Sequence, residues 1–323
     1  MSAGVCVLGD TAVDLIVRLP EIRAGEKVMP YEPRLHPGGS GANTAVALAR
    51  LGTPTCFIGT VGEDQYGQVV VDDFKKEQVD ITQLFIEAQL ATVCVFAFVD
   101  ADGERFLWGW PREKQAYTAI DFTRLDLEQI CRAGWLHTTG LLLANESSGR
   151  DAVLQTFEWA HKNGVITSFD LNLRSGAGVL EETYHEVVDK TISNSDYVLG
   201  SEQEFAILHE SHDWQNTVAD LVRDDKHVVV RRGNQGSILF AGDERSEVPA
   251  FNVKVVDTVG AGDVFDAGFI TALQRGHDAA TALRWGNAVA AFTIMKEGAR
   301  TSPSLAQMKT FIEEQKFNIR STK

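Results

Sequence analysis

Short apolar runs alternate with helical periodicity along most of this chain. The runs at 5–9, 55–60, 93–99, 135–139, 165–170, 197–200, 228–231 and 237–240 are rich in Val, Ile, Phe and Thr. Each has strand length and little polar alternation, the pattern of strands covered on both faces. Between many of them, apolar residues recur with helical spacing at 42–51, 68–77, 152–162, 215–222, 264–274 and 280–295. Strands alternating with helices predict an α/β fold on a mostly parallel sheet. Ligands of such folds sit beyond the carboxyl ends of the strands.

Two segments depart from that rhythm. Residues 13–36 and 92–117 are rich in β-formers and carry little helical signal, and DGE at 102–104 marks a tight turn between TVCVFAFVD and RFLWGW. They are expected to form a small sheet that projects as a lid over the strand ends. The chain carries no internal repeat, low-complexity stretch or flexible linker, so a single domain over 1–323 is expected, with a frayed polar tail at 317–323.

The 323 residues carry a net charge of −15. Nucleic acid and anionic membranes call for basic patches, so neither is an expected partner. An anionic substrate stays open, because a few donors at a helix N-terminus suffice for a phosphate. Cys6, Cys56 and Cys94 lie in apolar runs, Cys131 follows a helix-like stretch, and no C-x-x-C pair occurs. They read as reduced thiols. With no signal peptide and no apolar run near the ~18 residues of a membrane span, a cytoplasmic location is expected.

Two glycine segments hold the candidate chemistry. In DTVGAGDVFDAGF at 257–269, Gly260 and Gly262 flank Ala261 just before a helix. Glycines let the backbone approach a ligand, and the free amides at the positive end of the helix dipole suit a phosphoryl group. Asp263 falls in the first turn, where a carboxylate can accept a hydroxyl proton beside that anion hole. In GGSGANTAVALARLG at 38–52, paired glycines precede Asn43 at a helix start and set backbone and amide donors against hydroxyl groups. Thr44 occupies the third glycine position of a dinucleotide fingerprint, and no G-x-x-x-x-G-K-[ST] loop exists, which removes dehydrogenases and P-loop kinases. His209-Glu210-Ser211-His212 is one residue short of H-E-x-x-H.

These two segments resemble the signatures of the ribokinase-like (PfkB) carbohydrate kinase family. VLGDTAVDLI at 7–16, GTVGEDQYG at 59–67, DLNLR at 170–174 and GNAVAAFTIMKEGA at 286–299 match in the same order. The resemblance implies a three-layer αβα core with a β lid, and transfer of the ATP γ-phosphoryl group to a sugar hydroxyl. It makes Asp263 the base and Gly260, Ala261 and Gly262 the anion hole. Asp14, Gly38, Gly39 and Asn43 fall on sugar-binding positions, with Asp10 as a neighbour of structural or binding character. Asp170, Asn172 and Arg174 alternate after a strand and face the cleft together, and Arg174 is placed to neutralise transferring charge. Glu204 in SEQE falls on the glutamate of an N-x-x-E motif that holds Mg²⁺ through water, and Ser201 replaces its asparagine. Arg231, Gly233, Gly236 and Asn287 fall on the nucleotide side. Backbone oxygens at Asp257 and Val259 are the resemblance's place for a monovalent cation such as K⁺.

The acceptor is less defined. PREKQA at 111–116 partly resembles the Y-R-x-x-S-A stretch of 2-keto-3-deoxygluconate kinases, which would set Arg112 against a substrate carboxylate, while ribose, fructose or a nucleoside stay open. A catalytically inactive sugar-binding regulator is the rival reading. The lid's Trp108 and Trp110 suit either sugar contacts or a subunit interface, and a homodimer through the lid is expected.

Overall fold

The computed structural model describes residues 4–18, 34–99, 105–175, 180–208, 213–223 and 225–321. The chain opens with β1 (Val5–Leu8), β2 (Ala12–Arg18) and β3 (Arg34–Gly38), then α1 (Ser40–Arg50), β4 (Thr55–Gly62), α2 (Gln65–Lys76) and β5 (Asp80–Glu87). Next come β6 (Cys94–Val99), β7 (Arg105–Trp110), α3 (Leu127–Ala133), β8 (Trp135–Thr139), α4 (Ser148–Lys162) and β9 (Ile166–Asp170). The second half holds α5 (Glu182–Ser193), β10 (Tyr197–Ser201), α6 (Glu202–Leu208), α7 (Trp214–Arg223), β11 (His227–Arg231), β12 (Ser237–Ala241) and β13 (Glu244–Val248). Helices α8 (Ala261–Gln274), α9 (Ala279–Ile294) and α10 (Leu305–Ser321) close it.

The main sheet has nine strands in the order β13-β12-β11-β10-β9-β8-β1-β4-β5. It is parallel from β5 to β11, and β12 and β13 add an antiparallel edge. Side chains alternate between two cores: Val5 and Val7 face α1, α2, α8 and α9, while Cys6 and Leu8 face α3, α4 and α5. Both faces are therefore covered, which is why these strands carry continuous apolar runs.

The second sheet, in the order β3-β2-β6-β7, stands over the carboxyl ends of the main strands. The run at 93–99 belongs here, as β6, rather than among the core strands. Residues 19–33 and the expected turn at 102–104 lie outside the described residues, and β6 and β7 pair antiparallel up to Val99 and Arg105. One face of this sheet, with Ala12, Asp14, Val95 and Leu107, looks into a cleft. The other carries an aromatic ladder of Phe96, Phe98, Phe106, Trp108 and Trp110, with neighbouring ring centres 5.7–6.4 Å apart.

Among the described residues no helix is long and apolar enough to cross a membrane.

Candidate active site

The cleft between the two sheets measures about 430 Å³ and receives the N-terminus of α8. Gly260 caps that helix at φ 75°, in the left-handed region, and a methyl group there would come within 2.5 Å of the Ala299 Cβ. Glycine alone meets both demands. The first-turn amides have no partner within a helix; that of Ala261 donates to the Thr258 carbonyl at 3.2 Å, and the turn as a whole lines the cleft.

Asp263 sits in this turn, 7% exposed. Its Oδ2 accepts a 2.8 Å bond from Asn43 Nδ2, and its backbone carbonyl accepts one of 3.1 Å from the Thr44 hydroxyl. Both donors lie on α1, so the two glycine segments meet at one carboxylate. Burial pushes Asp263 up to about 7; the Asn43 bond opposes that rise, Asp170 and Asp10 add to it, and Arg231 acts against it.

Beneath the turn lies a buried charge array. Arg231 Nη2 donates to Asp170 Oδ1 at 2.6 Å and Nη1 to Asp266 Oδ1 at 2.9 Å, with Glu204 Oε2 3.5 Å from Nη2. Burial works against the charge on Arg231, yet the three carboxylates outweigh it and hold the guanidinium above its ordinary value. Burial and the neighbouring Asp170 push the Asp266 carboxyl well up, opposed by Arg231. Arg231, expected on the nucleotide side, thus lines the cleft floor with both terminal nitrogens engaged.

The remaining expected residues divide. Asp10, Asp14, Gly39, Asn43, Asp170, Asn172, Arg174, Glu204, Val259, Gly260, Ala261, Gly262 and Asp263 all line the cleft. Asp10 accepts the Ser40 and Gly41 amides and so caps α1. Gly38 packs against the Asp14 carboxylate, which a methyl group there would approach to 2.6 Å and displace. Asn172 has φ 34°, a conformation asparagine tolerates better than most residues, and its amide donates to Ser40 Oγ at 2.8 Å. Glu204 accepts from the Ser201 amide and hydroxyl and from the Leu173 amide, so the serine that replaces asparagine orients the glutamate from outside the cleft.

Gly233, Gly236 and Asn287 stand apart from this cleft. The glycines form the β11–β12 turn, and Asn287 donates to the carbonyls of Val248 and Pro249. Asp257 bonds the Val259 and Gly298 amides and braces the loop before the anion hole. Arg112 is exposed, in the segment after the cis Trp110–Pro111 bond, and is not among the residues lining the cleft. The geometry therefore does not bring it to the candidate acceptor site. Residues 209–212 lie outside the described residues. Sequence reasoning missed Ser40, Thr44 and Asp266; spacing offered one hint, since Asp266 lies one helical turn beyond Asp263.

Among the described residues no group of three acidic, His or Cys side chains forms a ready-made metal site. A hard cation here would take most oxygens from phosphate and water, with Glu204 as the protein's carboxylate, and that donor set fits Mg²⁺.

The chain is similar to known proteins over most of its length. Residues 2–306 match the family model described as pfkB family carbohydrate kinase. The chain is 31% identical over 291 residues to a 5-dehydro-2-deoxygluconokinase of Clostridium botulinum, covering 86% of this chain and 84% of the relative. It is 32% identical over 277 residues to a fructokinase of Salmonella typhimurium, covering 84% and 85%. A protein of E. coli assigned as ribokinase II, solved with ATP and Mg²⁺, superposes with a TM-score of 0.84 at 25% identity, covering 97% of this chain and 99% of that one.

Proposed function

The chain belongs to the pfkB family of carbohydrate kinases, and on that footing we propose that it transfers the γ-phosphoryl group of ATP to a sugar hydroxyl. The observation that carries this is the convergence of both glycine segments on Asp263: a buried carboxylate near neutrality, held by Asn43, beside the open first turn of α8.

Phosphoryl transfer asks a protein mainly for positioning and charge stabilisation. Asp263 takes the acceptor hydroxyl's proton. The amides at 260–262 receive the charge that develops on the phosphoryl oxygens, and Arg174, exposed within the cleft, adds a cation there. Asp14, Gly39, Asn43 and Asn172 hold the sugar, while the β2-β3-β6-β7 sheet acts as a lid that keeps water from the reacting groups. Glu204 would hold Mg²⁺ through water, and the ion would supply charge neutralisation on the phosphates. K⁺ belongs beside the loop that Asp257 braces. Asp263 and its glycines are retained, which disfavours an inactive regulator, and the four free cysteines fit a reducing cytoplasm.

The relatives named above are an acid-sugar kinase and a fructokinase, so the acceptor is tested by a panel. ADP release is expected with 5-dehydro-2-deoxygluconate, 2-keto-3-deoxygluconate, fructose or ribose, and is expected to stop when EDTA removes divalent cations. ATP turnover that no sugar stimulates would reject the kinase reading.

The lid's outer face supports a homodimer. Phe106 is 67% exposed and Trp110 54%, in one ladder on a small sheet, and a sheet with an exposed apolar face gains by covering it. Sedimentation at micromolar concentration should give twice the 35.4 kDa chain mass, and Trp108→Glu should give the monomer. A wild-type monomer would dismiss this assembly.

A further inference from the structure

We infer that Asp266 is a positioning residue for the transfer step: it clamps the Arg231 guanidinium flat beneath Gly262, making the arginine a platform for the turn at 260–263. The inference rests on the kinase reading above and concerns how the anion hole is held.

The geometry has three parts. A methyl group built on Gly262 would lie 3.2 Å from Arg231 Cζ, 3.2 Å from Nη1 and 3.5 Å from Nη2. Near-equal distances to three atoms of a planar group place Gly262 over its face. The edges of that plane are taken by Asp170 and Asp266, which grip Nη2 and Nη1. A guanidinium held by two edges cannot rotate, which a lysine's single ammonium could not reproduce. Finally, Asp266 is fully buried, and it is not among the residues lining the cleft. It touches the cleft through its charged neighbours, Arg231, which it bonds, and Asp170 beside it.

A guanidinium face offers no N–H upward, so its contribution is shape: a flat floor that fits glycine and would have to yield a few tenths of an ångström to a methyl group. Were the floor to tilt, the amides at 260–262 would leave the line on which the phosphoryl group travels, and small misplacements there are costly.

The test is a double-mutant cycle on kcat, with ATP and the accepted sugar. Gly262→Ala forces the guanidinium down by a few tenths of an ångström and should lower kcat about tenfold, with KM for ATP changed less than about threefold. Asp266→Ala, which frees one edge, should cost a similar factor. In the double variant the loosened arginine can yield to the methyl group, so the second change should cost less than about threefold, the non-additivity of neighbours in one network. Asp266→Asn keeps an oxygen toward Nη1 and should restore most of kcat. Losses that multiply to about 100-fold, or a failed asparagine rescue, overturn the proposal. So does wild-type kcat in Gly262→Ala alone, a change at the cleft surface that leaves the buried array's own side chains intact. A wild-type protein without sugar-stimulated turnover would instead sink the kinase reading.

Discussion

Asp263→Asn should abolish sugar phosphorylation while making the protein harder to melt above neutral pH. The first half follows from the base: loss of general-base help costs roughly 10²–10⁴-fold in kcat. The second half follows from linkage. Folding raises the Asp263 carboxyl from 3.8 to about 7, so the native state binds this proton more tightly than the unfolded chain. The contribution to stability is fully present below the unfolded value and is lost as pH rises through about 7. The difference of about three pH units corresponds to on the order of 4 kcal/mol by which ionised Asp263 burdens the fold. Asparagine removes that charge, and its carbonyl can still accept from Asn43. At pH 8 the variant should therefore melt several degrees higher than wild type, while at pH 4 the gain should vanish. A variant that keeps more than a tenth of wild-type kcat would remove Asp263 from the base role. A variant equally inactive but less stable at pH 8 would point to a folding defect.

The two glycine segments were legible because close backbone approach leaves a mark no other residue can counterfeit: Gly39, Gly260 and Gly262 each stand where an added Cβ would strike a neighbour. Fully covered strands were legible for a similar reason, since burial on both faces demands unbroken apolar runs. β5 escaped notice because Asp80–Glu87 lies at the sheet edge, with only Gln83 buried, so its residues carry neither a run nor a clean alternation. α5 buries four of its twelve residues and reads as a polar stretch. The run at 93–99 announced a strand but not a sheet, because β6 is apolar on its cleft face (Val95, Ala97) and on its ladder face (Phe96, Phe98) alike.

Long-range charge pairing was hidden altogether. Arg231 meets partners 61 and 35 residues away, and nothing in VVVRRGNQG separates an arginine at the cleft floor from one beside a nucleotide. Asp266 sits among Phe265, Ala267 and Phe269 and looks like an incidental acid in an apolar helix. Its role exists only in the fold, where α8 lays it against the end of β11.

The acid side of the pH profile should expose Asp263 directly. A general base works only when ionised, and kcat/KM reports the ionisation of free enzyme and free substrate. With the carboxyl near 7, kcat/KM should be flat above about pH 8 and fall about tenfold per unit below 7, reaching roughly a hundredth of its maximum at pH 5. ATP's own phosphate titrates in the same region, so a limb near 7 alone does not assign the proton. Asn43 separates the two. Its amide donates to Asp263 Oδ2 at 2.8 Å and favours the ionised form, whereas ATP in solution is indifferent to position 43. Removing the amide should raise the carboxyl further, since burial, Asp170 and Asp10 then act with less opposition. Asn43→Ala should accordingly move the acid limb to higher pH, in addition to weakening sugar binding. Charge from Arg231 limits that movement, because it still favours the carboxylate from below. A limb that stays in place in Asn43→Ala would assign the titration to the nucleotide, and one that moves to lower pH would contradict the hydrogen bond's sense.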